Sequence, residues 1–263
     1  MLKVSVTGST GRMGRMIMHE VLKRPNRFHL TSAVVRRGSH LIGDDISTLL
    51  ELSKLDIAFE DHPEKAFKDT DVVIDFSQHQ ASLQYIAAAQ QTQKPILVGT
   101  TGFSSEEKNL IINASAKIPI LLAPNTSLGI AIMNKLVFET AKALGPDYDV
   151  EIVDIHHNLK KDAPSGTALS LAESVEKSGT HFVSRDHTKS CEREKGAVGF
   201  AIVRAGSIVG QHDVIFAGSK ESLTISHQAF DRTLFADGAL KAAEWLKGKK
   251  AGLYTMKDVI GLS

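Results

Sequence analysis

The stretch HHNLKKDAPSGT, residues 156–167, holds the densest set of reactive side chains in the sequence. Two imidazoles stand side by side at His156 and His157, and two lysines follow at Lys160 and Lys161. Histidine can give or take a proton near neutral pH, and a lysine does so if burial or a neighbouring cation lowers its pKa. The stretch closes on Ser165-Gly166-Thr167, ahead of an Ala/Leu-rich helical pattern. Free backbone N–H groups at a helix start hold anions well. Acids beside an anion-binding turn suggest protonation of something that carries carboxylates or phosphates. The same residues could equally form a solvated basic loop before a capped helix.

Such residues need elements to hold them. Val150, Ile152, Val153 and Ile155, with charges between, read as a strand leading into His156. Ala168, Leu169, Leu171, Ala172 and Val175 read as the helix leading out. At the other end of the chain, residues 2–7 read as a strand, though one more polar than a central parallel strand usually is. Gly8-Ser9-Thr10-Gly11-Arg12-Met13-Gly14 follows, and then a helix with Met13, Met16, Ile17 and Val21 on one face. Strand, glycine turn and helix form the context that a dinucleotide fingerprint requires, here spaced G-x-x-G-x-x-G. A second strand, about Leu30 to Val35, ends in Arg36-Arg37, where NAD sites commonly place an acid for the ribose. No carboxylate is there to repel a 2′-phosphate, and a guanidinium can bind one. These features favour NADPH, with NADH possible; two solvated arginines at a strand end are the plainer alternative.

With 263 residues, net charge +1 and 42% hydrophobic residues, the chain has the make-up of an ordinary soluble protein with one large domain or two smaller ones. Nothing in the charge pattern asks for nucleic acid or a membrane surface. The start, MLKVSVTGSTG, has no signal-peptide pattern. The single cysteine, Cys191, lies in a polar stretch and reads as incidental. A reducing cytoplasm is the expected location, and no metal is expected.

Strands about 71–76, 95–99 and 119–123 alternate with helices about 80–90 and 106–116, which predicts a doubly wound parallel sheet of Rossmann type. Ligands bind outside the carboxyl ends of such strands, so the turns at Ser77, Gly99–Thr101 and Ala123–Thr126 are expected on the cofactor side. After an amphipathic helix from about Ile130 to Leu144 the pattern changes. Residues 180–196 read as loop. Strand pieces at 199–204, 208–209, 214–217 and 223–227, joined by short turns, suggest antiparallel pairing. A domain boundary is expected near residue 128, and a last helix runs from about Phe235 to Lys247.

GSTGRMGR at 8–15, DFS at 75–77, GTTGF at 99–103, HHNLKKDAPSGTA at 156–168 and GFAIVRAGSIVGQHDVIFAG at 199–218 together resemble the dihydrodipicolinate reductase family, also called 4-hydroxy-tetrahydrodipicolinate reductases. Phe235-Ala236 and Gly252-Leu253-Tyr254 extend the likeness to the C-terminus, and the HHxxKxDAPSGTA element is its most specific part. The resemblance implies an NAD(P)H-binding domain, residues 1–128 completed by 236–263. It implies a second α+β domain with an open mixed sheet, residues 129–235, that binds substrate and builds a homotetramer. The implied reaction is hydride transfer to a cyclic imine dicarboxylate in diaminopimelate and lysine biosynthesis. By position, His156 matches the family's proton donor/acceptor and Lys160 its other proton donor. His157, Gly166 and Thr167 match substrate contacts. Gly8, Ser9, Thr10, Gly11, Arg12, Met13, Gly99, Thr100, Thr101, Ala123, Pro124, Asn125 and Thr126 match cofactor contacts, and Arg36 matches the arginine at the adenosine phosphate. Two departures stand out. Val35 replaces an acid present in members that use NADH well, and Thr126 stands where some members have an aromatic residue.

The residues alone leave open whether His156 or Lys160 delivers the proton, or whether both histidines mainly bind carboxylate. Lys161 and Asp162 read as structural, with Asp162 fixing the loop. Two other functions compete with a reductase. A dehydrogenase of an amino acid or sugar would share the nucleotide domain without needing Ser165-Gly166-Thr167. A nucleotide-sensing regulator would have lost its acid and base residues, which the intact His156, His157 and Lys160 count against.

Overall fold

The computed structural model describes residues 1–183 and 195–261. Cys191 lies outside the described residues. In chain order the elements are β1 (Leu2–Thr7), α1 (Arg12–Leu22), β2 (Phe28–Val34), α2 (Ser47–Leu50), β3 (Phe59–Glu60), α3 (Pro63–Ala66), β4 (Val72–Asp75), α4 (His79–Gln91), β5 (Ile96–Val98), α5 (Ser105–Ser115) and β6 (Pro119–Leu122). Then come α6 (Leu128–Leu144), β7 (Asp149–His156), α7 (Gly166–Glu176), β8 (Phe182–Val183), β9 (Ala197–Arg204), β10 (Gly210–Ala217) and β11 (Ser222–Ala229). The chain ends with α8 (Thr233–Leu246), β12 (Gly252–Tyr254) and α9 (Met256–Val259). It divides into two compact units: Met1–Ser127 with Thr233–Gly261, and Leu128–Arg232.

The first unit is built on a seven-stranded sheet in the order β12-β6-β5-β4-β1-β2-β3. Every strand pair in it is parallel. The alternation of strand and helix therefore does produce a doubly wound parallel sheet. One core cluster packs Val73, Ile96, Val98 and Ile120 of the sheet against Tyr85, Ile86 and Ala89 of α4 and Ile111 and Ala114 of α5. Helices α1 and α8 pack on each other and on the sheet's central strands. The polar alternation of β1 has a physical reason. Ser5 and Thr7 are fully buried, and each is paired across the sheet: Ser32 Oγ donates to Ser5 Oγ at 2.7 Å, and Thr7 Oγ1 to Asp75 Oδ1 at 2.5 Å. Buried hydroxyls that find partners cost the strand little. Strand β12 did not stand out in the sequence because three residues show no periodicity; it adds to the edge beside β6.

The second unit carries a five-stranded mixed sheet in the order β11-β10-β7-β9-β8. Val150 and Ile152 of β7, Val198 of β9, and Val214 and Phe216 of β10 pack against α6 and α7 through Met133, Val137, Leu171 and Val175. The expected antiparallel pairing holds for β10 with β11 and with β7. It fails for β9, which lies parallel to β7, as β8 does to β9. Although β9 and β10 are joined by a short segment, β7 lies between them, so that segment crosses the end of β7. Backbone bonds fasten the crossing there, Ala205 N–H to His156 O at 2.9 Å and Asn158 N–H to Gly206 O at 3.1 Å. Short connections usually signal a hairpin, and the sequence offers no mark of this exception. Residues 208–209 belong to the crossing, and β10 begins at Gly210. Within the stretch 180–196, expected to be loop, residues 182–183 form β8 and residues 184–194 are outside the described residues.

Candidate active site

In the first unit the turn between β1 and α1 is shaped by close backbone approach. Gly8 has φ of +63°, a left-handed conformation open to glycine at little cost, and a Cβ on it would lie 2.3 Å from Phe76 O. A Cβ on Gly14 would lie 2.3 Å from Gly8 O. The third glycine of the pattern therefore lets α1 sit directly on the turn. Gly11 caps α1 without a side-chain bond, and no acid occupies the first turn. That leaves unclaimed N–H groups and a favourable dipole for a phosphate. Thr10, Gly11 and Arg12 are exposed and Met13 half-buried. Ser9 is fully buried, and its hydroxyl donates to Val34 O at 2.9 Å, tying the turn to the end of β2. Just beyond that end, Val35 is buried while Arg36 and Arg37 are exposed.

The turns after β5 and β6 also divide between exposed backbone and inward side chains. Thr100 is buried, and its hydroxyl sits between Asp75 Oδ2 at 3.2 Å and Ser82 Oγ at 2.8 Å, while accepting the Ser77 N–H at 3.1 Å. Thr126 is buried, and its hydroxyl donates to Phe235 O at 2.7 Å. Gly99 and Ala123 are buried, Asn125 is half-buried, and Thr101 and Pro124 are exposed. The side chains of Ser9, Thr100 and Thr126 thus shape their turns, which leaves backbone groups to meet a ligand. Sequence spacing cannot separate these two uses of a hydroxyl.

In the second unit, alternation along β7 puts Val150, Ile152, Asp154 and His156 on its buried face. The apolar half of that face lies in the core. Its upper half is a polar cluster centred on Asp154, whose side chain is fully buried. Asp154 Oδ2 accepts the Ser165 N–H at 2.7 Å and Arg204 Nη2 at 3.0 Å. Oδ1 lies 2.9 Å from His156 Nδ1 and 3.3 Å from His212 Nε2. The two imidazoles meet edge to face, 5.1 Å apart. Ser165 caps α7 by accepting the Ala168 N–H, and its Oγ lies 3.1 Å from His212 Nε2. One buried carboxylate therefore fixes the start of α7 and faces two histidines. Burial works against its charge, but the His212 contact, the Ser165 amide and Arg204 outweigh that and hold its pKa well below the ordinary carboxylate range. Burial drives His156 down to about 4 against the attraction of Asp154, with His212, Lys160 and Arg204 adding to the depression. At neutral pH the unliganded ring is uncharged.

The ligand atoms of Asp154, His156 and His212 all lie within 4.8 Å of one another, a spacing that could hold a metal ion. The Arg204 guanidinium already neutralises Asp154 and would repel a divalent cation. His157 turns the other way, its Nε2 3.1 Å from Arg232 Nη2. Lys160 is largely covered, 19% exposed, and its Nζ pairs with Asp162 Oδ2 at 2.9 Å. Lys161 is exposed. Gly166 is exposed at the start of α7, with Thr167 half-buried beside it. His156, Lys160 and the start of α7 are thus gathered around one loop of one unit. Asp154, Arg204, His212 and Arg232 escaped the sequence reading, and Ser165 was read only as part of the turn before α7. The available signal was a carboxylate two residues before His156, on the face of a strand whose other members are apolar.

Comparison with known proteins bears on both units. The family model for the N-terminus of dihydrodipicolinate reductase matches residues 2–126, and the one for its C-terminus matches residues 129–260. A 4-hydroxy-tetrahydrodipicolinate reductase from Hahella chejuensis is 42% identical over 267 residues, covering 100% of both chains. One from Pseudomonas fluorescens is 41% identical over 273 residues, again covering 100% of both. Among solved structures, a dipicolinate-bound dihydrodipicolinate reductase from Paenisporosarcina sp. TG-14 shares the fold with a TM-score of 0.79 at 23% identity, over 99% of each chain. An amine dehydrogenase from Mycobacterium smegmatis shares it with a TM-score of 0.68 at 12% identity, over 97% of this chain and 95% of that one. The chain belongs to the dihydrodipicolinate reductase family.

Proposed function

We propose that this protein reduces 4-hydroxy-tetrahydrodipicolinate to tetrahydrodipicolinate with hydride from NADPH, in the diaminopimelate route to lysine. The observation that carries this reading is the loop that places His156, Lys160 and the start of α7 together, in a chain whose full-length relatives bear that name. Net, the reaction takes up one hydride and one proton and releases water.

NADPH supplies the hydride when bound. The glycine cradle around Gly8 and Gly14, with Gly11 to Met13, fits a pyrophosphate, since any Cβ at Gly8 or Gly14 would collide with backbone. Gly99 to Thr101 and Ala123 to Thr126 are the other cofactor contacts, largely through backbone. Arg36 takes the 2′-phosphate. The substrate carries two carboxylates. The amides of Gly166 and Thr167 and the Thr167 hydroxyl hold one of them, and His157 supports the substrate's charge. The negative charge left by hydride arrival takes a proton from His156 or Lys160. A bound dianion raises the pKa of His156 from its depressed value, because an opposite charge favours the imidazolium. Asp162 parks Lys160 until a substrate carboxylate competes for it.

An absorbance assay with enzymatically made substrate tests the activity: NADPH oxidation at the nicotinamide band is expected, and a flat trace refutes the reading. The same assay should favour NADPH over NADH, and Arg36→Ala should erase most of that preference while sparing turnover with NADH. Equal use of both cofactors by the parent protein would refute the roles given to Val35 and Arg36.

The protein works as a homotetramer in the cytoplasm. Support for self-association is the sheet face opposite α6 and α7, where Val203 is 41% exposed beside half-buried Val153, Ile155 and Ile215. Light scattering should give four times the chain mass of 28.5 kDa; a monomer at micromolar concentration would refute it. Among the described residues no helix is long and apolar enough to cross a membrane.

A further inference from the structure

The two oxygens of Asp154 have different surroundings. Oδ2 is saturated by the Ser165 amide and the Arg204 guanidinium. Oδ1 is buried and has no aligned hydrogen bond, and neither has His156 Nδ1, although the two are 2.9 Å apart. The carboxylate oxygen is at bonding distance but off the axis of the ring N–H. Native structures seldom leave a buried donor and acceptor in this state without a functional reason. Catalytic hydrogen bonds are often poorly aligned before substrate binds and tighten in the complex.

We infer that Asp154 is a positioning residue for proton transfer, fixing the His156 ring with protonated Nδ1 turned inward and Nε2 left as the exchanging nitrogen. A bare Nδ1 lone pair facing a carboxylate oxygen at 2.9 Å would be repelled, so the ring carries its inner proton there. Nε2 lies beside Gly210 of β10, where a Cβ would stand 3.0 Å from it and crowd the ring. Arg204 of β9 and the first turn of α7 hold the carboxylate from behind, so Asp154 cannot swing away to solvent. Around His156 the charged and titratable groups are Asp154 on its own strand, His212 on β10, Arg204 on β9 and Lys160 on the following loop. Of these Asp154 alone stabilises an imidazolium; the others and burial oppose it. When a dianionic substrate arrives, the Asp154 oxygen is the protein's own counter-charge for a proton gained at Nε2 and passed on.

This inference rests on the proton-handling role of His156, and the test separates the two. The kcat and its pH profile would be measured for Asp154→Asn, His156→Gln and the double variant, with NADPH affinity and thermal melting as controls. Asp154→Asn is expected to lower kcat at neutral pH by at least about tenfold, with NADPH affinity within twofold. It should also move the alkaline fall of kcat to lower pH, because the His156 imidazolium has lost its counter-charge. The double variant should be no slower than His156→Gln, as expected when one residue acts through the other. Normal turnover in Asp154→Asn, or losses that add in the double variant, overturn the inference and leave the role of His156 standing. Normal turnover in His156→Gln overturns both. If Asp154→Asn does not fold, Gly210→Ala decides. It leaves every charge in place and crowds Nε2, so a drop of several-fold in kcat with unchanged NADPH affinity supports the inference, and wild-type kcat overturns it.

Discussion

His156→Gln and Lys160→Met, made separately, are each expected to lower kcat by about two to four orders of magnitude, the usual contribution of a positioned acid or base. NADPH affinity should change little. Both residues belong to the second unit, whereas the glycine cradle and Arg36 belong to the first. Glutamine keeps much of the histidine's volume and polarity but cannot carry a proton across neutral pH. Methionine keeps the lysine stem without its charge. The two variants should differ in one respect. Lys160 pairs with an exposed carboxylate at Asp162, so its loss also weakens the attraction for a dianion and should raise the substrate KM. His156 is buried against Asp154, so its loss should appear mostly in kcat. Stopped-flow single turnovers with NADPH would separate these effects from product release. If either substitution mainly weakened NADPH binding, the role given to that residue would be wrong.

Gly14→Ala is expected to damage the cofactor half strongly for a single added methyl. The added Cβ would lie 2.3 Å from Gly8 O and 2.7 Å from Ser9 Cα, both of them backbone. No side chain can rotate to relieve such a contact, so α1 or the turn must move. Overpacking of this kind costs about 1–3 kcal/mol. It also opens the distance between the start of α1 and the turn, where the pyrophosphate is to sit. A lower melting temperature together with a rise of at least about tenfold in NADPH Kd is the expected result. Calorimetry and fluorescence titration would read the two quantities. A variant that melted like the parent and bound NADPH normally would show that the turn yields more easily than its packing implies.

The parallel sheet was legible because β4, β5 and β6 are short apolar runs separated by helical stretches, a pattern with few alternatives. The glycine turn was legible because three glycines at fixed spacing have a steric purpose that survives in the sequence. The pairing of β9 with β7 was not. Strand order in a mixed sheet depends on long-range register, and a five-residue connection looks alike whether it makes a hairpin or crosses a strand. The polar cluster around Asp154 was missed for a related reason. His156 announces itself by chemistry and by its neighbour His157, but Arg204 and His212 come from other strands and meet it only through register: Asp154 opposite His212, and His156 opposite Arg204. Asp162 was expected to fix the loop; its side chain pairs with Lys160 and its carbonyl accepts Arg204 Nη2. Ser9, Thr100 and Thr126 show the converse limit. Their positions in turns at the carboxyl ends of strands were readable, whereas the inward direction of their hydroxyls was not.

The bond from Thr126 to Phe235 spans 109 positions of sequence, yet it joins the place where the chain leaves the first unit to the place where it comes back. In topological terms the second unit is a cassette spliced into a loop of the first, and its two ends are already stitched together. Helix α8 and strand β12, though they follow the insert in sequence, are therefore integral to the nucleotide unit. A chain in which a short linker replaced residues 128–232 would leave that sheet with all seven of its strands. The order of synthesis carries the same implication: the first unit stays one edge strand and two helices short until the whole insert has been made.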